Sequence, residues 1–301
     1  MNIVIKVSDE TREKMIQYYK DKKRDKEIPY VVFQADDEDT VITMYTSGKV
    51  MFQGVSADVD ATMWKEMDGQ SANDEKKEDV GIYHNCSSVG SDEVGTGDYF
   101  GPIVVTAAYV RKEDVSFLES LGIRDSKKID DEKIRKIAPE IAKKIKYRSM
   151  ILSNREYNEK YGKDMNMNKI KAILHNKVLY QLMTEEKPEI DYIIVDEFAR
   201  EQRYYEYIKD VPNIQRGITF MTKAEDKNLA VACGSIISRY IFLREFDKIC
   251  DNLHLPLVKG ASKEVDKIGE EVVEKYGEEM LREIAKLNFK NTERILHTMI
   301  F

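Results

Sequence analysis

Residues 67–79 (MDGQSANDEKKED) constrain this chain most, because they break the hydrophobic patterns on either side. Their Gly, Ser, Asn and mixed charges have nothing to bury and read as a linker, which divides the chain in two. Before it, residues 1–66 run strand, helix, three strands, helix. Residues 2–7 form the first strand; Ser8 caps a helix that is expected to reach about Lys26. Segments 30–35, 40–45 and 49–53 are strands, the last two joined by the hairpin signal Ser47-Gly48, and 56–66 is a helix. The pattern predicts a small α+β domain, a curved antiparallel sheet with helices on one face. After the linker, residues 80–301 alternate strands with helices, which predicts an α/β domain with a central mixed sheet flanked by helices.

Composition narrows the chemistry. The 301 residues are 42% hydrophobic and one third charged, as in an ordinary folded protein. No apolar run approaches the roughly 18 residues of a membrane span, and the N-terminus lacks the pattern of a secretory signal. Cys86, Cys233 and Cys250 are odd in number and far apart, which fits a reducing cytoplasm, and the four histidines are equally scattered. A metal, if held, is therefore held by oxygen. The net charge of -7 weighs mildly against a nucleic-acid binder, but a site built of carboxylates is negative by construction.

Acids at strand ends are the candidates for such a site. Asp92 and Glu93 end the strand 89–93 and precede the turn Gly95-Thr96-Gly97, whose bare backbone lets a substrate approach closely. Alone, this stretch reads equally as an acidic turn before the strand 102–110. Residues 191–195 (DYIIV) are apolar enough for the sheet centre and lead into Asp196, either a turn residue or a second site acid. Glu225 and Asp226 precede a helix from about residue 228 with small residues Ala230, Ala232, Gly234 and Ser235; acids there are also ordinary helix-dipole partners. Further helices are expected at 113–121, 130–144 and 167–185, strands at 147–152 and 217–221, and a last helix from Asn291.

Together these residues resemble a known family. Gly90-Ser91-Asp92-Glu93-Val94-Gly95-Thr96-Gly97-Asp98-Tyr99-Phe100-Gly101-Pro102 resembles the first motif of the type 2 ribonucleases H, and within them the ribonucleases HIII. In the same order follow Arg124-Asp125-Ser126-Lys127-Lys128, Val195-Asp196, and Lys223-Ala224-Glu225-Asp226-Lys227 with its small-residue helix. The resemblance spans about residues 80–301, and a small N-terminal domain similar to the TATA-binding-protein fold also fits. Thr96 in place of arginine, and Glu225 in place of aspartate, separate the chain from ribonuclease HII. Cys233-Gly234 stand where the family more often has two alanines, a departure that touches packing only.

The resemblance implies a ribonuclease H-like catalytic domain whose acids Asp92, Glu93, Asp196 and Glu225 bind two Mg²⁺ or Mn²⁺ ions. It implies hydrolysis of the RNA strand of an RNA/DNA hybrid, leaving 5′-phosphate and 3′-hydroxyl ends. Gly95, Thr96, Gly97, Lys127, Lys128 and Lys223 are the expected substrate contacts, the lysines having surface residues as their plain alternative. The basic run 20–26 is either a solvated helix face or a phosphate contact. Hard oxygen ligands suit these ions, and four clustered carboxylates are expected to raise one another's pKa. The chain is expected to act as a cytoplasmic monomer with no obligate protein partner and no membrane. Cleavage at single ribonucleotides in duplex DNA, as by ribonuclease HII, and non-catalytic nucleic-acid binding are the rivals.

Overall fold

The computed structural model describes residues 2–24, 28–37, 40–54, 57–68, 80–123 and 129–298. The chain divides into two compact units, Met1–Asp79 and Val80–Phe301.

In the first unit, β1 (Asn2–Lys6), β2 (Val31–Asp37), β3 (Thr40–Tyr45) and β4 (Lys49–Gly54) form one antiparallel sheet in the order β1-β4-β3-β2. Gly48, at φ +79°, closes the β3–β4 hairpin. Inward residues Ile5, Phe33, Ile42 and Phe52 meet Met15 of α1 (Asp9–Tyr18) and Ala61 and Trp64 of α2 (Ala57–Met67). Both helices thus cover one face. On the other face the register aligns Val4, Met51, Thr43 and Gln34 in a row across the sheet.

Helix α1 stops at Tyr18, short of the expected Lys26. Tyr19 is buried and takes a 2.8 Å hydrogen bond from the Trp64 indole, which fixes where the chain leaves the helix. A 3-10 turn (Lys20–Lys22) follows, and the chain then pairs with β2 through the Lys23–Ala35 bridge. Lys22 bonds Asp37, and Arg24 bonds Asp36 at 2.5 Å. Lys22 and Arg24 of the basic run therefore answer the acids of β2 instead of lining a helix face.

The second unit is built on a five-stranded mixed sheet, β7-β6-β5-β8-β9. It comprises β5 (Ser88–Val94), β6 (Ile103–Val110), β7 (Lys146–Leu152), β8 (Tyr192–Asp196) and β9 (Ile218–Met221). Strands β5, β6 and β7 are antiparallel neighbours, while β8 and β9 add in parallel beyond β5. The apolar strand β8 thus lies one place from the centre, which β5 occupies.

One face packs on α5 (Asp131–Lys144) and the long α10 (Leu229–Leu253), the other on α7 (Met167–Glu186). Small residues bring α10 close. A side chain on Gly90 would lie 2.4 Å from the Val231 nitrogen, and one on Gly234 would lie 2.8 Å from the Thr106 carbonyl oxygen. Gly234 is therefore a tight point, so its departure from alanine has a physical basis in this chain.

Elements that the sequence reading did not anticipate include α3 (Val80–His84), α6 (Asn154–Lys160) and α8 (Glu201–Tyr207). The signal for α6 was present: Ser153 and Glu156 form a capping box at its start. The expected helix at 113–121 is a 3-10 turn followed by α4 (Val115–Ser120), and α11 (Lys263–Tyr276), α12 (Glu279–Ile284) and α13 (Lys290–Thr298) complete the chain. Among the described residues no helix is long and apolar enough to cross a membrane.

Candidate active site

Successive residues of a strand point to opposite faces, so Asp92 and Glu93 part company at the end of β5. Ser91 pairs in parallel with Val195, so Asp92 and Asp196 are the next residues along two neighbouring strands and share a facing. That face is the α10 side. Ser235 of α10 hydrogen-bonds the Asp92 carboxylate, and the Glu93 N–H donates to Asp92 Oδ1 at 2.8 Å. Asp196 Oδ1 accepts the Ala224 N–H at 3.0 Å, which ties the end of β8 to the turn carrying Glu225. Lys223 enters that turn in the left-handed region, at φ +52°, an uncommon conformation for a residue with a side chain. Glu225 follows, buried, in the short helix α9 (Ala224–Lys227).

Glu93 turns to the α7 side. Its Oε1 meets Lys171 Nζ at 2.5 Å, and its Oε2 lies 2.9 Å from His175 Nε2. The other ring nitrogen of His175 lies 2.7 Å from Ser91 Oγ. Phe198 stacks on the imidazole at 5.3 Å and receives the Lys171 ammonium 4.2 Å from its ring centroid. Lys171 and His175 stand one helical turn apart and so share a face.

These surroundings split the two acids. Burial, then the negative charges of Glu93 and Glu225, push the Asp92 carboxyl well above the usual carboxylate range. Burial also works against Glu93, but the hydrogen bonds and charges of His175 and Lys171 overcome it and hold its carboxyl low. A cluster of carboxylates alone predicts raised values throughout; Glu93 departs from this because Lys171 and His175, invisible as partners in the sequence, supply counter-charge there.

The expected substrate contacts fall unevenly. Gly95 sits at φ +95°, where an added side chain would come 2.1 Å from the Pro102 carbonyl oxygen, so only glycine fits the turn. Thr96 is partly exposed, and Gly97 opens into free space. Lys223 is exposed beside Glu225. Lys127 and Lys128 lie outside the described residues. Lys171, His175, Ser91 and Ser235 were not singled out from the sequence. For Lys171 and His175 the available signal was four-residue spacing on a helix whose buried positions are mostly apolar.

The donor chemistry of this place suits a hard divalent cation: the acids offer only oxygen, and Asp92 is crowded by negative charge that a cation would relieve. Among the described residues no three His, Cys, Asp or Glu side chains gather tightly enough to enclose an ion as they stand. Glu93, engaged by Lys171 and His175, would have to reorient to share one with Asp92.

Residues 89–292 match the family model described as ribonuclease HII, and residues 2–77 match one described as a domain of unknown function, DUF3378. The second unit is thus a catalytic domain of the type 2 ribonuclease H class. Ribonuclease HIII of Lysinibacillus sphaericus (strain C3-41) is 40% identical over 301 residues, 97% of this chain and 98% of that protein. Ribonuclease HIII of Bacillus cereus (strain ATCC 10987 / NRS 248) is 39% identical over 303 residues, 97% of each chain. The crystal structure of Bst-RNase HIII in complex with Mn²⁺ superposes with a TM-score of 0.72 at 36% identity, covering 99% of both chains. This chain belongs to the ribonuclease HIII family.

Proposed function

We infer that the protein is an endoribonuclease that hydrolyses the RNA strand of RNA/DNA hybrids, with Asp92, Glu93, Asp196 and Glu225 as its metal-binding and catalytic acids. The observation that carries this reading is that Asp92 and Asp196 follow directly on the paired residues Ser91 and Val195 of neighbouring strands, with the charge of Glu225 acting on Asp92. Two bound Mg²⁺ or Mn²⁺ ions would supply an activated water and stabilise the leaving 3′-oxygen, giving 5′-phosphate and 3′-hydroxyl ends. The chain's own residues do the rest. Ser235 and the Glu93 N–H orient Asp92, the Ala224 N–H orients Asp196, and Lys171 with His175 keeps Glu93 ionised.

Gly95, Thr96 and Gly97 present backbone and a hydroxyl to the hybrid, where contact with a 2′-hydroxyl separates RNA from DNA. Lys127, Lys128 and Lys223 contact phosphates. Residues 1–66 form a substrate-gripping domain joined through the linker 67–79 to the catalytic domain 80–301; its helix-free sheet face, with Val4, Met51 and Gln34, is the surface for that grip. The three free cysteines support a cytoplasmic enzyme.

The test is cleavage of a continuous hybrid and of a DNA duplex holding one ribonucleotide, each with and without Mg²⁺ or Mn²⁺. Efficient, metal-dependent cutting of the hybrid is expected, and Asp92→Asn should abolish it. Strong preference for the single ribonucleotide, or full activity of Asp92→Asn, would sink the reading. Deleting residues 1–66 should raise KM and spare kcat at saturating hybrid; the reverse pattern would remove the gripping role.

A further inference from the structure

Lys286 is a charged residue with no exposed surface, lying 185 positions from the backbone it contacts. Its ammonium donates to the carbonyl oxygens of Asp98, at 2.8 Å, and Gly101, at 2.6 Å. Its backbone N–H donates to the Tyr99 carbonyl, the Gly101 N–H donates to the Ile284 carbonyl, and Phe100 bridges to Ala285. The Asp98 carboxylate in turn accepts the Gly260 N–H at 2.6 Å, while the Tyr99 N–H donates to the Gly260 carbonyl at 2.8 Å. The 95–101 loop is therefore fastened from beneath, with the lysine as the central peg and Asp98 as the second tie. Its outer edge, at Thr96 and Gly97, faces away into open space.

Burying an ammonium on two neutral carbonyls is costly. Packing alone would be served by an apolar side chain and a loop whose carbonyls faced solvent. Resting on the reading of Gly95, Thr96 and Gly97 as hybrid contacts, we propose that Lys286 and Asp98 are positioning residues that hold the 95–101 loop in its hybrid-recognising shape. Neither touches the substrate. Burial pushes the Lys286 ammonium down to about 7, yet a neutral amine still donates two hydrogen bonds, so the peg holds on either side of neutrality.

The test uses the full-length protein with Lys286→Met and, because that variant risks misfolding, Asp98→Ala at the partly exposed second tie. Two quantities are read: KM against kcat on hybrid, and the ratio of hybrid to DNA-duplex affinity, which does not depend on the folded fraction. We expect KM to rise about tenfold in Lys286→Met and severalfold in Asp98→Ala, with kcat within about twofold and the affinity ratio falling in both. A residue serving the fold alone would lower the melting temperature and leave KM and the ratio at wild-type values; that result overturns the proposal. If Lys286→Met does not fold, Asp98→Ala decides by the same criteria. Wild-type protein that fails to prefer hybrid over DNA duplex brings down the underlying reading, and the proposal with it.

Discussion

Replacing Gly90 with alanine would drive a methyl group into the backbone of α10. The new carbon would lie 2.4 Å from the Val231 nitrogen, 2.6 Å from Val231 Cγ2 and 2.8 Å from the Ala230 carbonyl carbon. Comfortable separation of such atoms is about 3.5 Å, so the strand and the helix must part by about 1 Å. Two of the three atoms belong to the helix backbone and cannot rotate aside. Overpacking of this kind costs roughly 1–3 kcal/mol, and the backbone contacts place Gly90→Ala at the upper end, about 3 kcal/mol. In a unit of this size that corresponds to a melting temperature lower by roughly 6–12 °C.

The chemistry should suffer too. Gly90 and Asp92 share a strand face, and α10 carries the Ser235 that orients Asp92. A shift of about 1 Å there would cost up to about a hundredfold in kcat. Thermal unfolding by circular dichroism, with single-turnover cleavage of hybrid normalised to folded protein, measures both effects. Gly97→Ala is the control: its methyl meets nothing within 4 Å, so its melting temperature should stay at the wild-type value. Gly90→Ala melting within about 2 °C of wild type and cleaving at the normal rate would refute the packing argument.

Asp92 has a second, opposite consequence for stability. Its carboxyl is raised in the folded chain, so between the usual carboxylate value and the raised one the native state holds a proton that the unfolded state releases. Its contribution to stability therefore falls as pH rises through that window, and Asp92→Asn should melt higher than wild type above it in metal-free buffer while losing activity; equal melting across pH would contradict this. Because Asp92 must be ionised to act as a ligand, cleavage by the wild type should rise with pH through the same window, and a flat profile would count against it. Glu93 behaves in the reverse sense, its stabilising ion pairs being lost as pH falls through its lowered value. Lys171→Met leaves a nearly buried carboxylate with one partner fewer and should destabilise by about 3 kcal/mol, read by urea unfolding; a change under about 0.5 kcal/mol would show the pair to be idle.

Much of this was legible in the chain itself. The Ser47-Gly48 hairpin and the change from an antiparallel pattern to alternating strands and helices follow from local rules of turn chemistry and periodicity, while residues 69–79 of the expected linker lie outside the described residues. So does the location of acids at strand ends, since a short apolar run bounded by an acid marks where a strand leaves the core. The end of α1 was not legible, because Tyr19 is held by Trp64, 45 residues away, and Lys22 and Arg24 beyond it answer acids in β2.

What the sequence alone determined is which residue types stand at the ends of β5 and β8, and that a carboxylate site was available there. What only the tertiary structure decided is how they are shared out. The two-residue period of the strand sends Asp92 toward Ser235 and Glu225, and Glu93 toward Lys171 and His175, so neighbouring acids acquire opposite shifts. Lys286 likewise gains its meaning from Asp98 and Gly101, nearly two hundred residues away. The physical reason is the same in each case: protonation and loop shape depend on the charge and hydrogen bonds surrounding a group, and folding, not adjacency in the chain, brings those partners together.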